Sequence, residues 1–288
     1  MKRSSIVAQQ EISTKRHKGA NHPVICTYDS TPLIPATLYA RYKRFLGDVR
    51  LSPLAAADED HPLTTIHVPN TGPMVGLVDH LPSPVLLSAS SNPSRKYAHT
   101  LEWIRPNDGP WVGVHSAKAN TFVQQLLERK LIAELGEYDE NNIKREVKYG
   151  KESRVDFVLT RPTSQRQVYV EVKSVTLATE VEKTGAKVAV FPDTVSVRAQ
   201  RHVQELVRVA EDLGHEAVML FVVQRGDCEA FAPCVEKDPV YAGLVKHAVE
   251  KGGVQAVAVV CDLLVEPGEH TSDSVSVVFK GSIPVVVV

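Results

Sequence analysis

From Leu33 to about Trp103, short apolar stretches alternate with Pro, Gly, Asp and Ser: ATLYARYKRFLGDVRL, TTIHVPN, GPMVGLV, SPVLLSAS and AHTLEWI. Short strands at this spacing predict a small β-barrel. Arg105 to Pro110 (RPNDGP) reads as a turn-rich connector and a domain boundary. Beyond it the period lengthens. Phe122, Val123, Leu126, Leu127 and Ile132 recur at close to helical spacing, with Asn120 placed to cap the helix. Strand-like runs follow at Lys144 to Tyr149, Arg154 to Thr160 and Val168 to Val175. Pro192 and Asp193 are expected to open a second helix, with Val197, Val203, Leu206, Val207 and Ala210 on its apolar face and Gly214 stopping it. The nearly all-apolar AVMLFVVQ at 217–224 fits a strand buried on both faces. Asp238 to Lys251 reads as a helix and Gln255 to Cys261 as another buried strand. The order α-β-β-β-α-β-α-β predicts a mixed sheet with helices packed on it, so the whole chain reads as α+β with two domains. The expected bounds are a disordered tail at 1–32, a barrel at 33–110 and the mixed sheet at 111–288.

Composition agrees with a folded chain. It has 288 residues, 43% of them hydrophobic, which is enough for sizeable cores. No run of 18 apolar residues occurs, so no membrane partner is expected. The start, MKRSSIVAQQ, has no long apolar stretch; it is basic, and Glu11 is its only acid before Asp29. It reads as a tail or as an organelle-targeting segment. Four cysteines without a CxxC pair fit a reducing compartment such as the cytoplasm and argue against a disulfide framework. The net charge of −1 hides an asymmetry: residues 1–50 carry nine Lys/Arg against three Asp/Glu. That basic end is a candidate polyanion surface.

Two strand-like runs hold polar residues on one face. In SRVDFVLT, Val155, Phe157 and Leu159 alternate with Arg154 and Asp156; in VYVEVKSV, Val170 and Val172 alternate with Glu171 and Lys173. A hairpin through Arg161 to Gln167 would bring Asp156 beside Glu171 and Lys173. Burying these charges together is costly unless a cation and hydrogen bonds compensate. Mg²⁺ or Mn²⁺ held by Asp156 and Glu171, with Lys173 beside the attacking water, meets that requirement. This is the chemistry of the D…ExK arrangement in metal-dependent nucleases. The same triplet can also be an exposed, salt-bridged strand face. In FPDTVSVRAQRH, Arg198 and His202 share a helix face, and Asp193 stands where a cap would leave N–H groups free for a phosphate. In LYARYKRFLGDVRL, Tyr39, Tyr42 and Phe45 interleave with Arg41, Lys43, Arg44 and Arg50. Aromatics beside cations suit nucleic-acid binding on a barrel; alternatively the aromatics are core and only the charges are exposed.

From Leu33 to the C-terminus the chain resembles the sugar fermentation stimulation protein A family. The resemblance rests on ARYKRF, HVPNTGPM at 67–74, the run around RKY at 95–97, GKESRVDFVL, VYVEVKSVTL, FPDTVSVRAQRHVQEL and AVMLFVVQR. It implies an OB-like barrel followed by a restriction-endonuclease-like PD-(D/E)xK domain, with DNA as partner. It also implies a metal site at Asp156, Glu171 and Lys173, with Arg154, Asp193, Arg198 and His202 near it. The family often has Glu in the first helix of the second domain, where this chain has Gln124 and Gln125; Glu146 on the next strand is an alternative ligand. His115 stands where the family often has Asn or Asp.

Three functions follow as expectations. One is a DNA-binding protein with a metal-dependent phosphodiester-hydrolysing site. Another is a non-catalytic DNA-binding regulatory protein on the same fold. The third is an interaction protein with no nucleic acid, which the basic-aromatic segment disfavours.

Overall fold

The structure is a computed structural model that describes residues 22–51, 62–149, 153–266 and 274–287. The elements run β1 (Val24–Thr27), β2 (Ile34–Tyr42), β3 (Leu46–Leu51), β4 (Thr64–His67), β5 (Ser83–Ala89), β6 (His99–Ile104) and β7 (Val112–Gly113). They continue with α1 (Lys118–Glu128), β8 (Lys144–Lys148), β9 (Arg154–Thr160), β10 (Gln167–Val175), β11 (Leu177–Glu180) and β12 (Lys187–Phe191). The chain ends with α2 (Val197–Glu211), β13 (Glu216–Val223), β14 (Cys228–Pro233), α3 (Pro239–Glu250), β15 (Val254–Glu266) and β16 (Ser274–Ile283).

Strands β2 to β6 form a closed OB-like barrel in the order β4-β3-β2-β5-β6, and a parallel bridge from His67 to Thr100 joins β4 to β6. Closure leaves no free edge and buries Leu38, Val49, Ile66, Leu87 and Leu101 inside. GPMVGLV does not form the expected strand. It is a turn, and its Met74 and Leu77 fill the barrel interior.

The second unit is a seven-stranded mixed sheet, β1-β16-β15-β13-β10-β9-β8, in which β10, β13 and β15 are parallel. Helix α1 sends Phe122, Val123, Leu126 and Leu127 onto one face, against Phe157, Val170 and Leu220. Helices α2 and α3 cover the other face through Val203, Leu206, Tyr241 and Val245 against Met219 and Phe221. Asp238 joins these two helices at their starts. It accepts the Tyr241 amide of α3 at 2.9 Å and the Ser196 amide before α2 at 2.9 Å.

Several expectations need correction. The end of the expected tail is structured: β1 pairs antiparallel with β16, Ile25 and Tyr28 are buried, and Trp103 Nε1 of the barrel donates to Tyr28 Oη at 3.2 Å. A four-residue edge strand whose partner lies at the far end of the chain leaves no local pattern. Residues 1–21 lie outside the described residues. Asn120 is inside α1, not its cap. Helix α2 starts at Val197 with Ser196 as cap, accepting the Ala199 amide at 3.2 Å, and Val197 itself is exposed. Strands β11, β12 and β14 form a separate three-stranded sheet beyond the expected element order. Among the described residues no helix is long and apolar enough to cross a membrane.

Candidate active site

The floor of the site lies where β9 and β10 part. Their antiparallel ladder pairs Val170 with Phe157 and ends there. One step further, Asp156 caps the separation: its Oδ2 accepts the Val172 amide at 2.7 Å and its Oδ1 accepts from Asn120 Nδ2 of α1 at 2.7 Å. The other edge of β10 runs parallel to β13 from Val168 to Val175. Glu171 and Lys173 are therefore held on a central strand. Glu171 is 3% exposed. Its Oε1 accepts from Lys173 Nζ at 2.6 Å and meets His202 Nδ1 of α2, while Lys173 Nζ is 3.3 Å from that nitrogen. Glu171 Oε2 is buried and has no hydrogen-bond partner among the described residues.

The two carboxylates are pushed in opposite directions. Burial raises the Asp156 pKa and the Glu171 charge adds to it; the Val172 amide, Asn120 and Lys173 only partly oppose them. Burial acts the same way on Glu171, but the Lys173 charge and His202 outweigh it and hold that carboxyl below its ordinary value. Glu171 is thus the firmly ionised member.

Above this floor opens a cleft of about 470 Å³ between barrel and mixed sheet. The barrel wall supplies Arg44, Asn70, Thr71 and Gly72; the opposite wall supplies Asp193, Arg198 and His202. Asp193 does not cap α2. Its Oδ2 accepts the Met74 amide at 3.3 Å, and a Cβ on Gly72 would stand 2.3 Å from the same oxygen. The absence of a side chain at Gly72 permits this contact between the two units. Burial raises the Asp193 pKa against the Met74 amide, its own amide and the Arg41 charge.

The cleft therefore gathers Asp156, Glu171, Lys173, Asp193, Arg198 and His202 together with Arg44. It does not include Arg154, which is exposed near the start of β9. Glu146 falls opposite Asp156 in the β8–β9 register but has φ +50, is exposed and stays outside the cleft. Gln124 and Gln125 also lie outside it, donating to Glu128 at 2.7 and 3.1 Å. His115 contacts buried Glu102 at 2.9 Å.

The basic-aromatic segment divides in two. Arg41 is a structural clamp, donating to the carbonyls of Arg44, Asn70, Gly72 and Pro73 at 2.7 to 3.1 Å. Tyr42 Oη donates to Asp48 at 2.9 Å, and Tyr39 lies under Arg50, 4.7 Å from ring centroid to guanidinium. The β2–β3 turn presents Lys43, Arg44 and Phe45 to solvent. Two contributors carry little local signal: Asn120 is a cap residue by type, and the Asn70–Gly72 loop shows only as part of HVPNTGPM.

The donor set suits a hard divalent ion. Two neighbouring carboxylates, one with an orphaned buried oxygen, match Mg²⁺ or Mn²⁺ sites that take one or two carboxylates and keep several waters. Among the described residues no three His, Cys, Asp or Glu side chains form a ready cage.

An OB-like barrel followed by a mixed sheet with flanking helices defines a two-domain α+β class. Residues 40–114 match the SfsA N-terminal OB domain, and residues 117–266 match the sugar fermentation stimulation protein RE domain. The chain belongs to the sugar fermentation stimulation protein family. It is 43% identical over 228 residues to the homolog of Crocosphaera subtropica, covering 78% of this chain and 87% of that one. It is 44% identical over 226 residues to the homolog of Gloeobacter violaceus, with the same coverage. The structure of Pyrococcus furiosus SfsA in complex with Ca²⁺ matches with TM-score 0.70 and 25% identity, over 92% of this chain and 99% of that one.

Proposed function

We propose that the chain binds DNA in the cleft between barrel and mixed sheet and hydrolyses a phosphodiester there with a divalent metal. The observation behind this reading is the meeting of Asp156, Glu171 and Lys173 at the cleft floor, with Glu171 Oε2 buried and unpartnered. Asp156 and Glu171 would hold Mg²⁺ or Mn²⁺. When bound, such an ion polarises a phosphoryl oxygen and lowers the pKa of water. The relative from Pyrococcus furiosus in complex with Ca²⁺, another ion that prefers oxygen ligands, supports a divalent site in the family.

The chain's own groups have distinct tasks. Asn120 and the Val172 amide fix the Asp156 carboxylate. His202 braces Glu171 from α2. Lys173 orients or deprotonates the attacking water and offsets negative charge developing on the phosphate. Arg44 and Arg198 flank the floor as phosphate contacts.

One observation favours a binding-only protein. Both Asp156 oxygens already accept hydrogen bonds, and Lys173 lies against Glu171 and His202. Single-turnover cleavage of single- and double-stranded DNA with Mg²⁺ or Mn²⁺ separates the two readings. The hydrolytic reading expects Lys173→Met to retain DNA binding and lose roughly 10²–10⁴ in rate. Binding without any cleavage by the wild type would favour the regulatory reading. Equal metal affinity of wild type and Asp156→Asn in calorimetry would remove Asp156 from the site.

A further inference from the structure

The shape of the cleft limits the form of DNA it accepts. About 470 Å³ is the size of a small-ligand pocket, room for a nucleotide-sized piece of chain. Its walls are also held in place. Arg41 and Arg44 together bind the carbonyls of Asn70, Thr71, Gly72 and Pro73, four consecutive residues, which fixes the barrel loop. Asp193 then ties that loop to the facing wall through the Met74 amide. Glu171 is 3% exposed at the bottom, and a flexible single strand reaches a recessed group more readily than a rigid duplex does.

Each wall carries one exposed guanidinium. Arg198, on the first turn of α2, makes no hydrogen bond or ion pair among the described residues. Arg44 opposes it from the β2–β3 turn, held by Nη2 on Thr71 O at 2.8 Å. Next to Arg44 stands Phe45, 42% exposed, its ring centroid 6.0 Å from the guanidinium. An exposed aromatic next to a cation that lines a cleft is an arrangement that binds single strands, where a base stacks and the backbone follows the charge. Charge in the cleft is balanced, with Asp156, Glu171 and Asp193 against Arg44, Lys173 and Arg198. A bound divalent ion would tip it toward the polyanion.

We propose that the cleft takes a single DNA strand, with its phosphates between Arg44 and Arg198 and a base stacked on Phe45. This rests on the DNA-binding reading above. The test is fluorescence anisotropy of a labelled 12-residue single strand and of the same sequence as a blunt duplex, with Ca²⁺ and with chelator, over a salt series. The expected result is at least tenfold tighter binding of the single strand, strengthened by Ca²⁺. Arg44→Ala and Arg198→Ala should each reduce the salt slope by up to about 0.7, the single-strand value per phosphate. Phe45→Ala should weaken binding at least about fivefold. All three side chains are exposed, and a thermal melt verifies folding. Equal or tighter duplex binding that still depends on Arg44 and Arg198 would overturn the single-strand inference and leave the DNA-binding reading standing. Undetectable binding of either form by the folded wild type would overturn both.

Discussion

Asn120 Nδ2 donates to Asp156 Oδ1 at 2.7 Å, so the first turn of α1 holds a carboxylate on β9. Asn120 is a positioning residue, because it fixes a group that would hold the metal. Replacing Asn120 by Ala leaves one Asp156 oxygen without its donor in a half-buried place. Divalent affinity should fall by about 10- to 100-fold, the usual effect of losing a group that orients a ligand. Calorimetric titration of Mn²⁺ into wild type and Asn120→Ala measures this. An unchanged affinity in the folded variant would deny Asn120 that role.

The contact of Gly72 with Asp193 predicts a coupled pair. A methyl group on Gly72 would stand 2.3 Å from Asp193 Oδ2 and must displace that carboxylate from the Met74 amide. Gly72→Ala should therefore destabilise the wild type, and do so less in an Asp193→Ala background. Residues in direct contact show coupling of about 0.5–3 kcal/mol. Urea denaturation of the four proteins in the double-mutant cycle reads it. Strictly additive losses would mean that the two residues do not constrain each other.

Arg41 and Lys43 should behave differently although they are two residues apart. Arg41 donates to four backbone carbonyls, so Arg41→Ala should cost stability, about 1.5–3 kcal/mol if one charged hydrogen bond dominates. Lys43 is exposed at the turn, and Lys43→Ala should leave the stability within about 0.5 kcal/mol of wild type, with little change in melting temperature. Thermal melts of both variants check the contrast. Equal melting temperatures would show that the clamp on the 70–73 loop contributes nothing to the fold.

The legible parts of this chain were those whose pattern is local. Period-two alternation and the short Arg161 to Gln167 linker bring Asp156 beside Glu171 and Lys173, because strand register follows from side-chain alternation. The four-residue spacing from Arg198 to His202 puts both on one helix face, and that face lines the cleft. What stayed hidden depends on distant partners. Strand β1 has nothing in VICT to mark it, since its ladder is with β16. Arg41 and Arg44 look alike in ARYKRF, and both reach the loop some 30 residues on, yet Arg41 is half-buried in it while Arg44 stays exposed and lines the cleft. Asn120 is a strong N-cap residue by type, and only the nearby Asp156 shows why it sits inside the helix instead.

Away from the cleft, Asp227 makes acid stability predictable. Arg225 grips its carboxylate with Nε at 2.7 Å and Nη2 at 2.9 Å, and Lys187 adds a contact at 2.9 Å. Burial alone would raise this pKa, but the two cations outweigh it and bring it down from 3.8 to about 2. A carboxyl depressed on folding contributes stability above its unfolded value and loses it as pH falls toward its folded one. The contribution is present in full above about pH 5, falls to about half by pH 3, and is gone below pH 2. Its size is at most about 2 kcal/mol, because about a fifth of the side chain meets water and screening reduces it. Asp227→Asn keeps the shape and removes the titration, so its stability deficit against wild type should be largest at neutral pH and shrink between pH 5 and pH 3. Denaturant unfolding of both proteins across that range measures the difference. A deficit that stays constant from pH 7 to pH 3 would mean that the Asp227 charge contributes nothing and that the substitution acts through packing alone.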